Sequence, residues 1–166
     1  MSENEQRIAQ IRSLFNDITL RAIMVSPVIT INVDANLSEA LESFIAYNIT
    51  HLIVVDSQIK LKGIITQKYI YKTCSPRKIM GDISGYDPDL LLDGDSVYSK
   101  QTLDNFILRH MMKKNPFVLT PDDSIASAVC YMAKNNIACI PLVNDKEAVC
   151  GIITNQEIVN FISQFV

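Results

Sequence analysis

Apolar residues along this chain fall into two spacings that alternate and then start over. Ile8, Ile11, Leu14, Phe15 and Ile18 recur at three and four positions, the period of an amphipathic helix. Beyond Pro27 the stretch "VITINV" predicts a short strand, since a residue before proline is pushed away from the helical region. Asn36 offers an N-cap to a helix whose Leu37, Ala40, Leu41 and Phe44 share one face. "HLIVVD" and "KGIIT" then predict two strands about a polar turn, and a last helix follows. The series is repeated further on. Leu103, Phe106, Ile107 and Met111 predict a helix and "FVLT", after Pro116, a strand; Asp123 is the expected cap of a helix bearing Ile125, Ala128, Val129 and Met132. "CIPLVN", "CGIIT" and a terminal helix complete it. Short, unbroken apolar strands suit sheets covered on both faces. The fold class is therefore α/β, with the order β-α-β-β-α twice behind an N-terminal helix.

The second series copies the first at an offset of 88 residues, apart from a one-residue shift that sets Pro116 opposite Pro27 and is undone before Leu37 and Ile125. "GIITQKYI" from Gly63 returns as "GIITNQEI" from Gly151. Leu20, Arg21 and Met24 fall on Leu108, Arg109 and Met112; Ala40 falls on Ala128, Asn48 and Ile49 on Asn136 and Ile137, and Val55 on Val143. Such self-similarity marks one structural unit used twice. The chain divides into residues 1–74, an N-terminal helix with the first unit; 75–98, an acidic connection; and 99–166, a linker helix with the second unit.

The 166 residues, 48% hydrophobic and 20% charged, are enough for a globular core. No apolar run approaches the roughly 18 residues of a membrane-spanning helix, so no membrane span is expected. The polar, acidic start "MSENEQRIAQ" lacks the pattern of a secretory signal, which leads to the expectation of a cytoplasmic location. Net charge is -3, with six acids between Gly81 and Asp104 against Lys100 alone. The remainder, 14 bases against 12 acids, is too balanced for a nucleic-acid footprint. The acidic stretch invites a calcium reading, but from Asp87 the ligand spacing breaks at Leu91, and no metal is expected. Cys74, Cys130, Cys139 and Cys150 form no CxxC pair, and most sit in apolar runs as small hydrophobes. His110, beside Met111, is expected to pack, and Lys113 and Lys114 to form a solvated turn.

With "AIMVSPVITINVDANLSEAL…NITHLIVVDSQIKLKGIIT" and "HMMKKNPFVLTPDDSIASAV…NIACIPLVNDKEAVCGIIT", the chain resembles a tandem pair of cystathionine-β-synthase (CBS) domains, the Bateman module. The resemblance implies two pseudo-symmetric units packed sheet to sheet, with clefts that bind adenine nucleotides or related adenosyl compounds. It also implies a homodimer, to which the helices around Leu37–Phe44 and Ile125–Met132 and the terminal "IVNFISQFV" would lend apolar surface.

In the family pattern G-h-h-T/S-x-x-D the hydroxyl residue faces phosphate and the aspartate holds both ribose hydroxyls. Thr66 and Thr154 match the hydroxyl; the aspartate position is Tyr69 in the first unit and Glu157 in the second. A carboxylate can accept two hydroxyl protons, whereas a phenol supplies one oxygen. The resemblance implies nucleotide-binding roles for Thr154, Glu157 and Thr66, for His51 near phosphate, for Thr30 and Thr120 near base or sugar, and for Ile137 and Pro141. AMP, ADP, ATP and S-adenosylmethionine are the ligands considered, with no cofactor required. No Walker A, GxSxG or HExxH motif occurs, so no catalytic residue and no enzyme activity is expected. Two functions follow: a regulatory module that senses an adenosine-containing nucleotide for a regulated protein, or a ligand-free dimeric interaction scaffold.

Overall fold

The computed structural model describes residues 2–73 and 103–165. The acidic connection and its calcium spacing, and Cys74, lie outside the described residues. The elements are α1 (Glu3–Asp17), β1 (Thr30–Asn32), α2 (Leu37–Tyr47), β2 (His51–Val55), β3 (Leu61–Thr66), α3 (Gln67–Thr73), α4 (Leu108–Met111), β4 (Lys113–Lys114), α5 (Ile125–Asn135), β5 (Cys139–Val143), β6 (Val149–Thr154) and α6 (Asn155–Ile162). The architecture is mixed α/β with two sheets. One runs β1-β2-β3-β4; in the other, β5 and β6 pair antiparallel. Among the described residues, no helix is long and apolar enough to cross a membrane.

The compact units are not cut where the repeats are. One unit comprises residues 1–29, 58–61 and 115–166, and the other 30–57 and 62–114. Each therefore joins the leading segment of one repeat to the body of the other. In the first, which holds Thr154, Leu20 N donates to Asp123 O at 2.8 Å, Arg21 N to Pro121 O at 2.8 Å, and Ile125 N to Ile18 O at 3.0 Å. In the second, which holds Thr66, the positions 88 residues away make the same bonds. Leu108 N donates to Ala35 O at 2.9 Å, Arg109 N to Val33 O at 3.1 Å, and Leu37 N to Phe106 O at 2.9 Å. The side chains repeat the exchange, with Arg21 paired to Asp122 and Arg109 to Asp34.

The invariant glycine of the repeated motif follows from this arrangement. Val25 bridges Ile152, and a Cβ on the neighbouring Gly151 would stand 3.0 Å from Met24 Sδ. Ile64 pairs with Lys113 and Gly63 with Lys114; a Cβ on Gly63 would stand 2.6 Å from Met112 Sδ and 2.7 Å from Lys113 O. Glycine inside a strand commonly marks such a close approach.

The core of the Thr154 unit gathers Leu20, Ile125, Ala128, Met132, Ile140, Leu142, Ile153, Ile158 and Phe161, with Phe15 and Met24 packed against it. In the Thr66 unit Leu37, Ala40, Phe44, Leu52, Ile53, Val54, Ile65, Ile70 and Leu108 are buried. The repeated Asn-Ile pair also has a local reason. Asn48 and Asn136 end α2 and α5 in the left-handed region, at φ 49° and 51°. Asparagine visits that region more readily than other side chains.

Several expectations are corrected. "FVLT" is not a strand: only Leu119 pairs, with Leu142, because Asp123 Oδ2 takes the Thr120 N–H at 2.7 Å and turns the chain. Asp123 being so engaged, the cap of α5 is Ser124, whose hydroxyl accepts from Ser127 N. The helix expected through Leu103–Met111 is interrupted at Phe106 and Ile107, whose backbone serves the start of α2. Lys113 and Lys114 form strand β4, not a turn. His110 and Cys130 are exposed, not packed.

Candidate functional site

In each unit the end of the third strand of the repeat meets the start of the second. Thr154 closes β6 and registers with Cys139, the first residue of β5, while Asn155 N donates to Ala138 O at 3.0 Å. In the Thr66 unit, Gln67 N donates to Thr50 O at 3.1 Å, placing Thr66 beside the start of β2 and His51. Ile137 and Thr154 are half-buried and Pro141 is buried within β5. Pro141 lies opposite Ile152, so its missing N–H faces Leu119, which donates to its carbonyl at 3.3 Å.

Thr154 is the N-cap of α6. Its hydroxyl accepts from Gln156 N at 3.1 Å and donates to Glu157 Oε2, and the same Oε2 accepts from Thr154 N at 2.9 Å. This is a capping box, in which the third residue of a helix reaches back to the cap. Glu157 has the length to do so. At the matching place Thr66 accepts from Tyr69 N at 3.1 Å, but the Tyr69 phenol gives no bond in return, and its ring is 43% exposed. The two copies thus differ: beside Thr154 a carboxylate accepts from the threonine hydroxyl, and beside Thr66 the matching residue is a tyrosine.

The remaining predicted residues are distributed. Thr154, Glu157, Ile137, Pro141 and Thr120 belong to one unit, and Thr66, His51 and Thr30 to the other or its edge. His51 Nδ1 lies 2.9 Å from Thr50 Oγ1. Thr30 begins β1, opposite Ile53, whereas Thr120 follows the Leu119 bridge and gives its amide and hydroxyl to Asp123. The two threonines do not hold equivalent places in a strand. Thr120 stands toward the far end of β5 from Thr154.

Near β6, the Asp122 carboxylate holds the Arg21 guanidinium above its ordinary pKa, first through their hydrogen bond. Burial pushes the Cys150 thiol up, with Arg21 opposing in smaller measure. Among the described residues no three His, Cys, Asp or Glu side chains could hold a metal ion. Sequence reasoning missed the segments Met24–Ser26 and Met112–Lys114, which line β6 and β3; Ser26 Oγ donates to Cys150 O at 3.0 Å. The signal was available in a glycine set inside each apolar strand.

Comparison with known proteins agrees with this architecture. The homoserine O-acetyltransferase of Methanococcus vannielii is 27% identical over 161 residues, 97% of this chain but 28% of that protein. The CBS domain-containing protein DDB_G0289609 of Dictyostelium discoideum is 25% identical, over 87% of this chain and 91% of its own length. This chain thus spans about a quarter of the enzyme it matches. Among solved structures, a CBS domain pair crystallised with 5′-methylthioadenosine and S-adenosyl-L-methionine superposes with a TM-score of 0.67 at 25% identity, over 87% of this chain and 99% of that one. CBSX2 in complex with AMP shares the fold, with a TM-score of 0.66 at 17% identity over 89% and 97% of the two chains. The CBS domain pattern matches twice, over residues 20–75 and 108–164, in the halves that the repeat defines, and the chain belongs to the CBS domain family.

Proposed function

We propose that this chain is a regulatory module that binds an adenosine-containing nucleotide and passes the change to a partner protein. The observation that carries the reading is the doubled constellation of a strand-ending threonine capping the next helix, Thr154 with Glu157 and Thr66 with Tyr69. The relative with bound 5′-methylthioadenosine and S-adenosyl-L-methionine supports that ligand class. Glu157 gives the Thr154 site the larger share of sugar recognition, and the Thr66 site binds more weakly. The module is regulatory and not catalytic; the acetyltransferase matched above extends well beyond the region this chain covers.

Thermal unfolding with AMP, ADP, ATP and S-adenosylmethionine tests the reading. A ligand at a hundred times its Kd adds about 2.7 kcal/mol, or roughly 5–10 °C for a chain of this size. No shift with any of them at millimolar concentration removes the sensing function. The second reading, a ligand-free scaffold, is favoured by the engagement of Glu157 in its own helix cap.

Both readings include a homodimer. The buried residues Leu37, Phe44, Ile125 and Met132 are spent inside their own units and cannot contribute to it. Ile45 and Tyr47 on α2, and Val159, Ile162 and Phe165 at the C-terminus, are the exposed apolar residues left for that contact. Sedimentation showing only monomer at micromolar concentration would exclude the dimer.

A further inference from the structure

Helix α1 is covered by its own unit at one end only. Ile8, Ile11, Phe15 and, just past the helix, Ile18 lie on one face at three- and four-residue spacing. Phe15 and Ile18 pack against the core of the Thr154 unit, but Ile8 and Ile11 are more than half exposed, and no residue of α1 is buried. An isolated helix of about 12–15 residues is marginal in water, where packing of an amphipathic face supplies most of the stability. The bare stripe also leads into a second exposed surface. Phe15 meets Phe161 at 6.2 Å, and Phe161 meets the exposed Phe165 ring at 5.1 Å. Glu5 and Arg12 sit seven residues, or two turns, apart along one flank of the stripe. Both are exposed; Glu5 closes the cap at Ser2 through one oxygen, and Arg12 pairs with no carboxylate among the described residues.

We infer that α1 is a self-pairing helix: two copies of the chain lay their α1 stripes together antiparallel, Ile8 of one beside Ile11 of the other, with Glu5 of each opposite Arg12 of its partner. The inference deepens the homodimer included in both readings above. A two-fold contact joins the same patch of both copies, so that residue i meets j and j meets i. Antiparallel packing turns the one flank into two opposite-charge pairs. Parallel packing would set Glu5 against Glu5 and Arg12 against Arg12, and like-charge juxtaposition is penalised. The stripe is thus complementary to itself in one orientation, which selects a second copy as its occupant. A lipid surface fits poorly: α1 carries Glu3, Glu5 and Asp17 against Arg7 and Arg12, whereas a helix that lies in a membrane interface is rich in Lys and Arg on its polar face.

Sedimentation equilibrium of the full chain and its variants is the test. The unaltered chain is expected to dimerise, and I8S/I11S to weaken the dimer at least about 100-fold, since both copies lose Ile8 and Ile11 from the contact. Because those serines also loosen α1 itself, charge variants that keep the stripe intact are measured beside them. R12E and E5R each set like charges opposite one another and are expected to weaken the dimer about 3- to 30-fold. E5R/R12E restores opposite charges and is expected to regain most of the loss relative to E5R, with which it shares the missing cap at Ser2. A double variant that dimerises no more tightly than E5R overturns the antiparallel pairing. A dimer that I8S/I11S leaves within about 3-fold of the unaltered affinity overturns the inference and leaves the homodimer intact, formed through other surfaces. An unaltered chain that stays monomeric at micromolar concentration overturns the homodimer and this inference with it.

Discussion

At the scale of single residues, Gly63 and Gly151 show how one sequence identity serves two unequal contacts. A Cβ at residue 63 meets the Met112 thioether at 2.6 Å and the Lys113 carbonyl oxygen at 2.7 Å. The methionine can swing aside, but the carbonyl belongs to β4 and its pairing with β3. At residue 151 the nearest atoms, Met24 Sδ and Val25 O, are 3.0 and 3.3 Å away, so shifts of a few tenths of an ångström suffice. Inserting a methyl group into packed surroundings costs about 1–3 kcal/mol. Gly63→Ala is therefore expected at the upper end of that range and Gly151→Ala at or below the lower end. For a chain of this size each kcal/mol corresponds to about 2–4 °C in Tm. Scanning calorimetry of the two variants checks the ranking; equal losses would show that the backbone contact at Lys113 yields as easily as a side chain.

At the scale of elements, the sequence was legible wherever one local signal decided the outcome. Apolar spacing and a good cap placed α2, whose Asn36 accepts from Glu39 N as a cap should. The apolar runs placed β2, β3, β5 and β6 nearly to the residue. Legibility failed where two local signals competed. Asp123 and Ser124 could each cap α5; the aspartate is drawn off by the Thr120 amide, and that same bond removes the donor a strand at "FVLT" would need. Pro116 and Pro121, lacking N–H groups, restrict that stretch further. The break at Phe106 and Ile107 has a different origin. Its cause is α2, which takes the Phe106 carbonyl for the Leu37 amide, a partner remote in sequence and invisible to periodicity. The candidate site came from the resemblance to the CBS pattern, which singles out Thr66, Thr154 and Glu157; that Glu157 bonds its own helix start is a matter of rotamer and reach, which the pattern does not specify.

At the scale of the whole molecule, the exchange of leading segments makes each repeat depend on the other. The body of the second repeat is completed by Leu20, buried fully among Ile125, Ile140 and Ile153, and by Phe15, which meets the Phe161 ring edge-on at 6.2 Å. The body of the first is completed by Leu108, equally buried, and by the amides of Leu108 and Arg109, which donate to the carbonyls of Ala35 and Val33. A half-chain alone exposes the apolar surface that these residues cover and leaves those carbonyls without their donors. Full burial of one leucine contributes about 1.5–3 kcal/mol, and each net hydrogen bond roughly 0.5–1.5 kcal/mol. Against the 5–15 kcal/mol that stabilise an ordinary domain, losing one leucine and three bonds removes a large part of the margin. Residues 1–73 and 103–166, produced as separate polypeptides, are therefore expected to show no cooperative unfolding alone and to recover one transition when mixed in equal amounts. Circular dichroism melts with sedimentation of the mixture measure both; a monomeric half that melts cooperatively by itself would show that each repeat closes on its own leading segment.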